Sequence, residues 1–259
     1  MNMQGRLTLV TGAGSGIGKA AALRLARAGA DVALLSRTRE ELAEVAAEIE
    51  QMGRKALVLV ADTSSEAQMQ RAFDTISKEF GRLDFVFANA GVNGTWAPLG
   101  DLSYEDWNKT MSINLGGTFL TVHLALPLMK ESGGSILITS SINGTRTFTT
   151  AGASAYSTTK AGQVAFAQMA ALELAKHRIR VNVICPGAIE SEIDDNTSQE
   201  NVEEAKVPAE YPEGTVPLTG GKPGTAEEVA ELVLFFASDS SRHITGTPIW
   251  IDGAQSLLV

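Results

Sequence analysis

The chain has 259 residues, 44% of them hydrophobic, with 30 acidic residues against 21 basic ones and a formal net charge of −9. That is apolar material enough for the core of one large α/β domain, while scattered basic residues in an acidic chain argue against a nucleic-acid partner and against attraction to an anionic membrane. Cys185 is the only cysteine, which excludes an internal disulfide and a thiolate metal cluster.

Short β-rich runs alternate with longer amphipathic runs almost to the end. The opening "MNMQGRLTLVTG" has no charged region followed by a long apolar stretch, and no run approaches the roughly 18 apolar residues of a membrane helix. A soluble, cytoplasmic protein is expected. "RLTLVTG" reads as a strand, "GIGKAAALRLARAG" as a helix closed by Gly29, "DVALLS" as a strand and "REELAEVAAEIEQMG" as a helix closed by Gly53. "KALVLVAD" and "LDFVFANAG" are further strands, separated by the helix of "SSEAQMQRAFDTISKEFG". A long helix follows "LSYEDW"; then come the strand "GSILITSS", a helix from Ser154, the strand "IRVNVICPG", the helix "TAEEVAELVLFFAS" and the strand "TPIWIDG".

Continuous apolar strands with helices between them imply a parallel sheet covered on both faces. The right-handed crossover rule then gives an α/β fold: one Rossmann-type, doubly wound sheet of about seven strands, spanning residues 1–259 as a single domain. The one long irregular region, 191–225, is rich in Glu, Pro and Gly and reads as a substrate lid.

"VTGAGSGIG", Val10 to Gly18, links the first strand to the first helix. Gly12, Gly16 and Gly18 permit a tight turn and a close approach of backbone to ligand, and the helix start offers unpaired N–H groups to a phosphate. An ordinary strand–helix turn is the competing reading of the motif alone. The spacing Gly-x-x-x-Gly-x-Gly does not stand alone, however. "NAG" at Asn89, Ala90 and Gly91, "SINL" around Asn114, "SS" at Ser140 and Ser141, Tyr156 with Lys160, and "PG" at Pro186 and Gly187 follow in order. On these motifs the chain resembles the short-chain dehydrogenase/reductase family over nearly its whole length.

The resemblance implies a dinucleotide lying along the glycine loop with its Ser15 and Ile17, past "NAG", to Pro186, Gly187, Ile189 and Ser191 beside the nicotinamide. Where Ser191 stands the family usually has Thr. In such folds an acid at the end of the second strand accepts hydrogen bonds from the ribose hydroxyls of NAD. Here that strand ends "ALLSRTRE", with Ser36 at the expected position and Arg37 after it. A guanidinium suits a 2′-phosphate, so NADP(H) is favoured over NAD(H). Arg37 and Arg39 could equally decorate the next helix, and Ser15 stands where many NADP-type relatives carry a basic residue. Asp62 resembles the residue that holds the adenine amino group; it also fits a helix N-cap region with Thr63 or Ser64 as the cap.

Tyr156 and Lys160 are four apart on a helix and share a face. A free tyrosine, of pKa about 10, is protonated at neutral pH, and a nearby cation favours its phenolate. By itself the pair could be an exposed surface pair; its order with Ser141 carries the catalytic reading. The resemblance implies Tyr156 as acid and base, Ser141 as holder of the substrate oxygen with Ser140 as its rival, Lys160 as a ligand of the nicotinamide ribose, and Asn114 as anchor of a relay water. The activity implied is hydride transfer between a nicotinamide and a carbonyl or secondary alcohol. The alternatives are an NAD-dependent polyol or sugar dehydrogenase and a non-catalytic dinucleotide-binding regulatory protein.

No other catalytic set competes. His123, His177 and His243 are far apart, no metal site is expected, and there is no Gly-x-Ser-x-Gly elbow. Cys185, in an apolar strand, reads as core. "INGTRTFTTAGASA", before Tyr156, is two residues longer than the family typically has, which should alter substrate choice. Glu190, Glu192, Asp194, Asp195, Glu200, Glu203, Glu204, Glu210 and Glu213 give the lid an acidic rim opposed by Lys206 and Lys222. That rim counts against anionic carrier-protein thioesters. Trp96, Phe148 and Tyr211 are candidates for an apolar wall. The partner expected is a small carbonyl or alcohol substrate, and the resemblance implies a homotetramer packed through the Asn114 helix and the helix from Ser154.

Overall fold

The structure, a computed structural model, describes residues 1–190, 197–206 and 216–258. Its first half runs β1 (Leu7–Thr11), α1 (Gly16–Arg27), β2 (Asp31–Ser36), α2 (Arg39–Gln51), β3 (Ala56–Val60), α3 (Glu66–Phe80) and β4 (Phe85–Ala88). Then come β5 (Gly94–Trp96), α4 (Tyr104–Met111), a π-helical turn (Ser112–Gly116) and α5 (Gly117–Ala125). The chain continues with β6 (Gly134–Thr139), α6 (Ser154–Leu174), β7 (Ile179–Pro186), β8 (Thr197–Gln199), α7 (Ala226–Ala237) and β9 (Pro248–Ile251).

Seven strands form one sheet in the order β3-β2-β1-β4-β6-β7-β9, with every neighbouring pair parallel. The all-apolar runs predicted as strands are these seven. Their side chains alternate between two cores. Leu9, Leu35, Val86, Ile138 and Val183 face Phe73, Ile76, Val122 and Ala167 of α3, α5 and α6. Val10, Leu34, Phe87, Leu137 and Ile184 face Leu25, Val45, Val233 and Phe236 of α1, α2 and α7. The sheet is thus buried on both faces. Strand order reverses between β1 and β4, and the crevice above their carboxyl ends is where such sheets bind ligands.

Two features depart from the sequence reading. The 25 residues Tyr104–Leu128 make one helical run that is long and apolar enough, by length and composition, to cross a membrane, so the expectation that no such run exists is corrected. In this fold its inner face packs on the sheet and buries Asn114, Thr118 and Thr121. Region 191–225 is also less irregular than expected. β8 pairs with β5, joining Gly94 to Thr197 and Trp96 to Gln199, and 3₁₀ turns form at Val202–Ala205 and Pro217–Thr219. These strands are three residues long with no alternation to betray them. Residues 191–196 and 207–215, with Ser191, Glu192, Asp194, Asp195, Glu210, Tyr211 and Glu213 of the expected lid, lie outside the described residues.

The long loop between β6 and α6 docks on the helix it precedes. Gly144 has φ +79°, and a Cβ there would overlap the Ser157 carbonyl. Trp250 of β9 anchors the same loop, its indole N–H donating to Thr145 Oγ1 at 3.2 Å while Arg146 lies 3.6 Å over its ring. Replacing Gly144 combines left-handed strain with a backbone clash. Gly144→Ala is expected to lower stability by about 2 kcal/mol or more, read from urea unfolding midpoints; a loss under about 0.5 kcal/mol would show that the loop is not held this way.

Candidate active site

The carboxyl ends of the central strands open onto one cleft of about 810 Å³. At one end Gly12, Ser15, Gly16 and Ile17 form its floor, at the start of α1. Gly12 (φ +66°) and Gly16 (φ +49°) take the left-handed backbone that glycine allows. A Cβ on Gly12 would stand 3.1 Å from the Ala90 Cα, leaving no room for a side chain where the loop meets "NAG". Ser15 is the N-cap of α1, yet its side chain makes no capping bond. The first-turn N–H groups therefore face the cleft without a side-chain cap, as a phosphate site requires. Gly18 does not line the cleft. It lies behind the floor, where a Cβ would overlap the Gly12 carbonyl, so its lack of a side chain lets α1 approach β1.

Ser36 and exposed Arg37 line the next stretch, with Asp62 and Thr63 beyond. Asp62 is no helix cap. The N-cap of α3 is Ser65 rather than Thr63 or Ser64, and Asp62 Oδ1 instead accepts from the Ser64 N–H at 2.9 Å and its hydroxyl at 2.7 Å. This closes a tight turn that tips Asp62 to the cleft wall. Asn89, Ala90 and Gly91 form the opposite wall. Thr11 organises them, its Oγ1 accepting from the N–H of Asn89 (3.0 Å) and of Ala90 (3.1 Å). The Asn89 side chain is committed to the scaffold, donating to the Thr11 carbonyl and accepting from Thr139 Oγ1.

The other end gathers Ser141, Tyr156 and Lys160, with Pro186, Gly187 and Ile189 across from them. Tyr156 and Lys160 stand at the start of α6, both buried, with Lys160 Nζ 5.3 Å from the phenol ring centroid. Nζ donates to the Thr139 carbonyl at 3.0 Å. Burial pushes the Lys160 ammonium down to about 8. Between that value and the usual 10.5 the unfolded chain holds the extra proton, so this lysine makes stability rise with pH across the window. The adjacent serines divide their work. Ser140 donates its hydroxyl to the Lys160 carbonyl at 2.7 Å, fastening α6 to β6. Ser141 Oγ accepts from the Asn143 N–H at 3.1 Å, and no described residue takes its own proton.

Asn114 stands behind the wall, in the π-helical turn and fully buried. Its amide brackets Val92, accepting from the N–H and donating to the carbonyl, both at 2.9 Å, and donates also to Thr159 Oγ1. Both amide hydrogens are thus engaged, while Oδ1 keeps one lone pair. A Cβ on Gly91 would lie 3.2 Å from that Oδ1 and 3.6 Å from Lys160 Nζ, so the glycine keeps the space between them open. Gln163, one turn beyond Lys160, donates to the Asn114 carbonyl (3.0 Å) and to Thr118 Oγ1 (2.8 Å). Sequence reasoning missed this residue; an amide one turn beyond Lys160, at the head of the apolar run "VAFA", was its signal.

Toward the mouth the lining turns polar and uncharged, with Asn93, Asn143, Thr147, Thr149 and Thr150 beside Trp96. Phe148, expected in an apolar wall, is 75% exposed and is not among the described residues that line this cleft. The loop turns its threonines inward and its phenylalanine out. Tyr211 lies outside the described residues. Cys185 is buried in β7, and burial raises its thiol pKa, opposite to what a nucleophile needs. No group of three metal-ligating side chains occurs among the described residues. Of the acidic rim, Glu190, Glu200, Glu203 and Glu204 are exposed, and Glu203 pairs with Lys206.

Residues 12–254 match the family model described as enoyl-(acyl carrier protein) reductase. The chain is 35% identical over 255 residues to the levodione reductase of Leifsonia aquatica, covering 97% of this chain and 94% of that one. Among solved structures, a 3-ketoacyl-ACP reductase from Sinorhizobium meliloti 1021 superposes with a TM-score of 0.95 at 56% identity, covering 98% and 100% of the two chains. A 3-ketoacyl-(acyl-carrier-protein) reductase from Brucella melitensis, solved with NADH, superposes with a TM-score of 0.86 at 27% identity, covering 98% and 100%. The chain belongs to the short-chain dehydrogenase/reductase family and is an oxidoreductase of alcohol and carbonyl groups.

Asn114→Leu removes the partner of both backbone groups of Val92. Each buried group left unpaired costs about 1–3 kcal/mol, so a loss of about 2 kcal/mol or more is expected in urea unfolding. An unchanged midpoint would mean that the bracket is not part of the scaffold.

Proposed function

We propose that this short-chain dehydrogenase/reductase is an NADP(H)-dependent enzyme that interconverts a ketone or aldehyde and its alcohol, with Tyr156 as the acid and base. The observation that carries this reading is the buried pair at the start of α6: a phenol and an ammonium on one face, beside Ser141, at the mouth of a glycine-loop cleft. When bound, the nicotinamide dinucleotide supplies or accepts the hydride.

This chain's own residues do the rest. Ser141, whose proton goes to no described residue, donates to the substrate oxygen and polarises the carbonyl. Tyr156 gives its hydroxyl proton to that oxygen in reduction and takes it back in oxidation. The Lys160 ammonium favours the phenolate left behind. Its carbonyl is fastened by Ser140, which is why Ser141 and not Ser140 is the catalytic serine. Asn114 Oδ1, with its remaining lone pair facing the gap at Gly91, holds the water that reprotonates the site through Lys160. Gly12, Ser15, Gly16 and Ile17 with the start of α1 hold the pyrophosphate, and Gly18 lets the helix close on them. Asn89, Ala90 and Gly91 flank the adenosine ribose, Asp62 the adenine, and Pro186, Gly187 and Ile189 the nicotinamide. Ser36 and Arg37 favour the 2′-phosphate.

The segment 191–225 acts as the substrate lid. Its support is the β5–β8 pairing, the bond from Asn93 Nδ2 to Thr197 Oγ1 at 2.8 Å, and Pro223 in the cleft lining. Exposed Phe119, Met169 and Leu172 on α5 and α6 support a homotetramer packed through those helices. The strong negative charge supports a soluble, cytoplasmic location.

Consumption of NADPH across a panel of ketones, diketones, sugars and 3-oxoacyl esters tests the chemistry. Tyr156→Phe is expected to lower kcat/KM by about 10²–10⁴-fold with dinucleotide affinity kept. Turnover undiminished by the substitution would remove Tyr156 from the mechanism. Light scattering tests the assembly: the wild-type chain should run as a tetramer and Leu172→Glu as a smaller species, whereas a monomeric wild type would overturn it.

A further inference from the structure

The acid that this sheet topology calls for at the end of β2 is absent, since Ser36 stands there. A carboxylate reaches the same end of the cleft from elsewhere. Glu41, in the first turn of α2, lines the cleft beside Gly14, Ser36 and Arg37. Its side chain rests on the glycine loop, for a Cβ built on Gly14 would overlap Glu41 Oε2. Gly14 does not have a left-handed φ. Its backbone would accept alanine; the room its missing side chain leaves is filled by the Glu41 carboxylate.

Among the described residues, neither charge at this end has a partner. Glu41 is half-buried and makes no hydrogen bond or ion pair with any described residue, and the same holds for exposed Arg37. An acid in the first turn of a helix is favoured by the helix dipole, which accounts for Glu40 and Glu41 alike. The dipole does not account for the contact with Gly14 or for a lining position, which Glu40 lacks. A half-buried carboxylate without a partner is costly unless a ligand supplies donors, and ribose hydroxyls are such donors.

We propose that Glu41 is a specificity-determining residue for the dinucleotide: it accepts hydrogen bonds from the adenosine ribose hydroxyls and opposes Arg37. This rests on reading the cleft as a dinucleotide site. Arg37 attracts a 2′-phosphate and Glu41 repels it, so the wild-type chain favours NADP(H), but only modestly over NAD(H). The acid missing from β2 is supplied from α2, and a glycine in the phosphate loop makes space for it.

Binding, rather than turnover, reads this out. Wild type, Glu41→Gln, Arg37→Gln and Gly14→Ala are titrated with NADPH and with NADH, following quenching of tryptophan fluorescence. Glu41→Gln is expected to lower the ratio of Kd(NADPH) to Kd(NADH) at least tenfold, with NADPH bound more tightly and NADH no more tightly than before. Arg37→Gln should move the ratio the other way. Gly14→Ala keeps the charge but displaces it, and should move the ratio in the same direction as Glu41→Gln. A ratio within twofold of wild type in Glu41→Gln, or equal changes in both constants, would overturn the role of Glu41 and leave the dinucleotide reading intact. Failure of the wild-type chain to bind either dinucleotide would overturn that reading and this one with it.

Discussion

The structure depends on one costly placement: the ammonium of Lys160, buried at the crest of the sheet with the Thr139 carbonyl as its hydrogen-bond acceptor. A cation taken out of water loses solvation that one carbonyl does not replace, which is why its pKa falls to about 8. The surroundings make the placement tolerable. Ser140 ties the backbone of Lys160 to β6. The π-helical turn swings Asn114 in to bracket Val92, and Gly91 leaves the space between Asn114 and the lysine clear. Gln163 and Thr118 engage the carbonyl that the turn would otherwise leave in an apolar layer. A buried polar network of this kind holds together only when nearly every member is paired.

The parallel sheet puts these groups in one place. Three strand ends, those of β1, β4 and β6, each buried on both faces, deliver Thr11, Asn89, Thr139 and Ser140 to the same level. The loop 142–153 and the β5–β8 pair are of another kind: they ride above the sheet and give the cleft Trp96, Asn143, Thr147, Thr149 and Thr150. Sheet framework and cleft mouth thus come from separate parts of the chain.

What was legible in the sequence follows from the same division. The seven sheet strands are continuous apolar runs such as "DVALLS", and their pattern survives any detail of packing. The glycine loop and the Tyr156–Lys160 spacing are local, so they too could be read directly. The three-residue β5 and β8 could not, because their pairing joins positions about 100 apart and carries no period. The cap of α3 slipped to Ser65 because several polar residues in "DTSSE" can each start a helix, and turn geometry decides among them. Gly18 and Asn114, expected among the site residues, stand behind the cleft wall, a distinction invisible in one dimension. Glu41 was hidden for the same reason: its meaning lies in its contact with Gly14, across from a different helix.

The most direct test of this account is the titration of Lys160 itself, followed by NMR of the lysine side chains labelled at the ε-carbon, with Lys160→Met identifying the resonance. The account predicts one lysine titrating near pH 8, about where burial puts it, and that signal missing from the variant. Every lysine titrating in the ordinary range near 10.4 would contradict it, since the ammonium would then be solvated and neither the network around it nor its hold on Tyr156 would follow.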